Sequence, residues 1–111
     1  MVYAYVQDVP IDADFYQRII DELGSEPLAG SLLHLCVRLP EGGLRYIDVW
    51  ESEDACAKAF HERIHPAVDT AFGGARPPVE PTVQRLDVVH VTGAGLQPPD
   101  TVIPATSRVA P

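Results

Sequence analysis

Two kinds of hydrophobic spacing take turns along this chain. Residues 2–8 (VYAYVQD) alternate between faces and predict a first strand, which Pro10 closes. Asp12 then stands where a helix N-cap is expected, and Phe15, Tyr16, Ile19, Ile20 and Leu23 fall on one helical stripe ahead of Gly24. Residues 32–39 predict a second strand, 40–43 a tight turn and 44–50 a third strand rich in β-branched and aromatic residues. Ser52 offers a second N-cap, followed by Glu53 and Asp54, whose charges suit the positive end of a helix. From there Cys56, Phe60, Ile64, Ala67 and Ala71 form an apolar stripe, with Lys58, Glu62, His65 and Asp69 opposite. Proline removes a helical donor, so this helix is expected to end or kink near His65-Pro66 and resume briefly over residues 67–72. Residues 83–92 predict a fourth strand, and 94–111 read as an extended tail rich in Pro and Gly.

The element order is βαββαβ, an α+β, ferredoxin-like arrangement in which two helices cover one face of a four-stranded antiparallel sheet. Val2, Ala4 and Val6 alternate with Tyr3 and Tyr5, while Leu33, Leu35 and Val37 alternate with His34 and Cys36. Both faces therefore carry apolar residues, and a second copy of the chain is expected over the face that the helices leave bare.

With 111 residues, 46% of them apolar, the chain suits one domain over residues 1–93. A net charge of −8 and a single lysine, Lys58, argue against nucleic acid and anionic membranes as partners. No apolar run approaches the ~20 residues of a membrane span, and the first residues lack a signal-peptide pattern, so a cytoplasmic protein is expected. Cys36 and Cys56 fall on strand and helix positions typical of reduced, buried thiols.

The run IDVWES, followed by a helix of the pattern A…F…R…P-A-V, resembles the dimeric α/β-barrel superfamily and, within it, the antibiotic-biosynthesis-monooxygenase-like proteins. The resemblance spans residues 2–92. It implies a homodimer whose sheets pair into a barrel, with a small-molecule pocket between each subunit's helices and sheet. That superfamily includes cofactor-free monooxygenases, haem-degrading enzymes, polyketide cyclases, other lyases and proteins without an assigned reaction. Its haem-degrading branch uses an Asn on the first strand and a Trp and a His on the second helix. Here those positions fall on Gln7 or Asp8, on Ala59 or Phe60, and near Asp69, so haem degradation is disfavoured and no cofactor is expected.

Candidate chemistry centres on the hairpin of the second and third strands. An even turn over residues 40–43 would set His34 opposite Val49, Leu35 opposite Asp48 and Leu33 opposite Trp50. His34, inside LLHLCV, is either a general base for an acidic phenol or enol or a core histidine bonded to backbone or water. Asp48 either orients that base or a substrate, or makes a structural bond to an Arg or to backbone N–H groups. Tyr46, Trp50 and Phe60 would stack on a flat ligand or simply fill the core. Arg63 would hold an anionic group or Asp48, unless it lies on the surface. His90 on the fourth strand is a reserve candidate for the pocket. His61 and His65 sit one helical step apart but lack a third ligand, so no metal is expected.

These residues suit a small enzyme resembling cofactor-independent monooxygenases that act on hydrophobic aromatic or polyketide-like substrates. A cyclase or lyase on the same fold would use similar groups, and a non-catalytic binding or assembly protein would need none of them. An open cavity reaching His34 or His90 would favour an enzyme. A pocket filled by its own side chains would favour the scaffold.

Overall fold

The computed structural model describes residues 2–74 and 81–93; the tail at 94–111 lies outside these. The described elements are β1 (Tyr3–Val9), α1 (Ala13–Leu23), β2 (Ser31–Arg38), β3 (Leu44–Trp50), α2 (Glu53–Ala59), a π-helical turn (Phe60–Ile64), α3 (His65–Ala71) and β4 (Val83–Leu86). The strands form one antiparallel sheet in the order β2-β3-β1-β4, which is the ferredoxin-like arrangement.

Local chemistry accounts for the element boundaries. Asp12 accepts a hydrogen bond from the Phe15 N–H and Ser52 from the Ala55 N–H, so each helix begins at the expected cap. Gly24 ends α1 at a φ of 87°, and its N–H bonds to the Ile20 carbonyl. Gly30 is required where β2 meets α2: its φ is +85°, and a Cβ there would stand 2.6 Å from the Ala55 Cβ.

Three expectations need correction. The hairpin loop holds five residues, 39–43, because Gly42 and Gly43 take positive φ values and the last strand pair is Arg38 with Leu44. Shifting the pairing by one residue exchanges the partners, and His34 faces Asp48, Leu35 faces Ile47 and Cys36 faces Tyr46. A bulge between Ser31 and Leu33 then absorbs one residue of β2.

The second helix neither stops nor restarts at His65-Pro66. It passes through the π turn, in which the His65 N–H reaches the Phe60 carbonyl, and Pro66 follows at once, so the proline lacks its donor where the α-helical ladder is already interrupted. One extra residue in the turn rotates the rest of the helix by about 100°. His65, expected on the solvent side, is instead half-buried and lines the cavity between helices and sheet.

Finally, β4 stops at Leu86 and does not continue to residue 92. Among the described residues it is an exposed edge strand paired along Ala4–Gln7, and Asp87 is a poor strand former at the point where it leaves.

The core lies between the helices and the sheet. Tyr5, Trp50, Cys56 and Ala59 form its buried cluster, with Tyr3, Leu28, Phe60 and Ile64 packed around them. Phe15 and Phe72 meet at 4.5 Å between ring centroids and tie α1 to the end of α3. The opposite face of the sheet leaves Leu33 and Leu35 exposed at 45% and 47%. Among the described residues no helix is long and apolar enough to cross a membrane.

Candidate functional site

Strand alternation places Tyr5, Gln7, His34, Tyr46, Asp48 and Trp50 on the sheet face that the helices cover. Above them α1 contributes Tyr16, Ile19 and Ile20, and the second helix contributes Phe60, Ile64, His65 and Val68. Between the two layers lies a cavity of about 360 Å³, large enough for a small ring-shaped molecule.

A chain of hydrogen bonds runs along one wall of this cavity. The His34 Nδ1 lies 2.6 Å from the Asp48 Oδ1, and the His34 Nε2 lies 2.6 Å from the Tyr16 hydroxyl. Asp48 is buried, whereas 38% of the His34 side chain is exposed. With a carboxylate at one end, the neutral imidazole carries its proton on Nδ1 and accepts the Tyr16 O–H at Nε2. Tyr46 completes a cluster of rings, 5.5 Å from His34 and 5.6 Å from Tyr16. His34 is thus not the core histidine bonded to backbone that the strand pattern allowed. Among the described residues Asp48 pairs not with an Arg or the backbone but with the histidine directly across from it.

The other predicted residues divide. Tyr46, Trp50 and Phe60 line the cavity as expected, with the Trp50 and Phe60 rings 6.4 Å apart. Arg63 does not: its guanidinium donates to the carbonyls of Leu23, Glu26 and Pro27, which ties the second helix to the end of α1. His90 lies exposed beyond the end of β4 and is not among the residues lining the cavity. Tyr16 was missed as a site residue, because a tyrosine on an amphipathic stripe reads as core. The signal in the sequence was its hydroxyl, which needs a polar partner once buried.

Burial sets the proton affinities around the cavity. It pushes the Tyr16 phenol up to about 12, with Cys36, once ionised at high pH, and the Asp48 carboxylate adding to the effect. The same cause raises Tyr46, Tyr5 and Cys36, and takes the Cys56 thiol up to about 11. Both cysteines are free. In the folded protein these groups hold their protons at pH values where the unfolded chain has released them. Their contribution to stability is complete below the ordinary values of 9.0 for Cys56 and 10.0 for Tyr16, and it is lost as pH rises through about 11 and 12. Melting temperature is therefore expected to fall steadily above pH ~9, the ordinary thiol range. A flat profile up to pH ~12 would contradict the burial of these groups.

No family model matches the chain, and a search of curated proteins finds no match. Among solved structures, the chain is similar to one described as a candidate antibiotic biosynthesis monooxygenase from Chloroflexus aurantiacus J-10-fl. The TM-score is 0.56 over 87% of this chain and 100% of that one. This likeness establishes the fold. At 16% identity it carries neither substrate nor reaction, so the chemistry rests on the side chains of this protein.

Proposed function

We propose that the protein is a small-molecule enzyme resembling cofactor-independent monooxygenases, which removes a proton from a hydrophobic, aromatic or polyketide-like substrate in the cavity beneath its helices. The observation that carries the reading is an open cavity whose wall holds the Asp48–His34–Tyr16 chain. A buried carboxylate bonded to a partly exposed imidazole supports a base, because it orients the ring and stabilises its charged form, whereas a scaffold requires no such pair. Asp48 fixes the ring and its tautomer, and it stabilises the imidazolium that forms when His34 takes a proton. Tyr46, Trp50 and Phe60 would bound the flat faces of the ligand. An aromatic anion held away from water then reduces O₂ directly, with no group supplied by the protein beyond the base.

Incubation with 1-naphthol under air tests the reaction type. A monooxygenase consumes one O₂ per naphthol and yields the naphthoquinone and water. A cyclase consumes none but dehydrates an aromatic poly-β-ketone. Neither change, with tight binding of either compound, would leave a binding protein.

The same reading includes a homodimer formed through the bare sheet face, where Leu33 and Leu35 stand exposed beside Ile47 and Val49. Such an interface should bury more than ~1,000 Å² in total. Light scattering is expected to give twice the chain mass, and Leu35→Glu to give monomers. A wild-type monomer at micromolar concentration would remove the dimer.

A further inference from the structure

We infer that Tyr16, not His34, is the group that touches the substrate, and that the site accepts an uncharged ring compound bearing one acidic hydroxyl, a phenol or an enol. This rests on the proton-abstracting reading of the site and gives it a substrate class and a contact.

Both ring nitrogens of His34 are engaged, Nδ1 by Asp48 and Nε2 by Tyr16, each at 2.6 Å. A substrate proton therefore finds neither nitrogen of His34 free. Tyr16 lines the cavity, and its hydroxyl, which donates its own hydrogen to Nε2, can still accept one from a ligand. When a substrate O–H donates to that oxygen, two protons move in one direction. The substrate O–H bond breaks and a new O–H forms on Tyr16, while the former Tyr16 proton forms the N–H bond at His34 Nε2. The electron pair of the broken bond stays on the substrate oxygen. The products are a substrate oxyanion, a neutral Tyr16 that now donates to it, and an imidazolium bonded to Asp48. Because burial raises the Tyr16 phenol to about 12, a standing tyrosinate is not the base; protons pass through this hydroxyl.

The lining sets the charge of the substrate. Among the described residues, the cavity wall includes neither Lys nor Arg, and its floor carries Asp48. A phosphate, sulfonate or carboxylate would meet no Lys or Arg there and the Asp48 carboxylate, so the charge it brings would lose its hydration without a guanidinium or ammonium to replace it. A phenol enters neutral and becomes an anion only after its proton has reached His34.

The probe is 4-nitrophenol, whose ionised form is yellow. Bound to the wild-type protein, it is expected to ionise ~1–3 pH units below its value in water, because an imidazolium forms within hydrogen-bonding range of the relay. The ¹⁵N signals of His34 should move to their imidazolium positions in the same titration. The ¹³Cζ signal of Tyr16 in the wild-type protein should shift as nitrophenol binds, because the substrate O–H donates to that hydroxyl. Nitrobenzenesulfonate, similar in shape but permanently anionic, should compete poorly.

If His34 becomes an imidazolium when nitrophenol binds to the wild-type protein while the Tyr16 ¹³Cζ signal stays where it was, the substrate reaches His34 directly and the inference falls while the general-base reading stands. If wild-type protein neither binds nitrophenol nor lowers its ionisation, both fall. Effective competition by the sulfonate overturns the substrate class.

Discussion

Turnover is expected to fall ~10²–10⁴-fold in His34→Gln while the melting temperature changes little. Glutamine is the informative replacement, because its amide nitrogen can donate to Asp48 and its oxygen can accept from Tyr16. The two hydrogen bonds that hold the ring, each 2.6 Å in the native protein, therefore keep counterparts in the variant. What glutamine lacks is a basic ring nitrogen that can take a proton from the relay. Rate and stability should then separate, with ligand affinity nearly unchanged. A purely structural histidine gives the reverse, a loss of ~1–3 kcal/mol in stability and a rate that tracks only the amount of folded protein. Melting temperature, ligand binding and turnover measured on one sample distinguish the two, and unchanged turnover removes His34 from the mechanism.

The largest loss of stability is expected from Trp50→Ala, at ~3–5 kcal/mol. Trp50 is the largest side chain that is fully buried, at 2% exposure, and it joins Tyr5, Cys56 and Ala59 in the central cluster. Neighbours cannot collapse readily into the space, since Gly30 and Ala55 already stand close to one another on one side and Phe60 closes another. The indole N–H offsets part of the gain: it is the buried side-chain donor without a hydrogen-bond partner among the described residues. Phe60→Ala should cost less, because Phe60 is only half-buried and one side of it borders the cavity. A denaturant titration that ranks Phe60→Ala above Trp50→Ala would place the centre of the core wrongly.

The fold was legible because its punctuation is local. Asp12, Gly24 and Ser52 mark helix ends by hydrogen bonds that span only a few residues, and the sequence carries those signals directly. The site was legible as residues but not as an arrangement. His34 and Asp48 were both visible as polar intrusions in apolar strands, yet an even turn set them on different pairs. Whether Gly42 and Gly43 build a four- or a five-residue loop depends on two positive φ angles that composition permits but does not dictate. One residue of register separated two unrelated polar groups from a bonded pair. His65 was hidden for a similar reason, since α-helical spacing projects it to solvent and only the π turn brings it to the cavity. Arg63 misled because a side chain flanking an apolar stripe can turn either way, and three backbone carbonyls at the end of α1 were better partners than Asp48.

Oxygenation and cyclisation both begin with loss of a proton from the substrate, so that step can be measured whichever reaction comes after it. The most direct test is solvent deuterium exchange into the acidic C–H of 2-tetralone under anaerobic conditions, read by mass spectrometry. The wild-type protein is expected to accelerate incorporation well above the buffer rate and to saturate as the cavity fills. Incorporation at the buffer rate, by a folded protein that binds the ketone, would contradict a proton-abstracting site at His34.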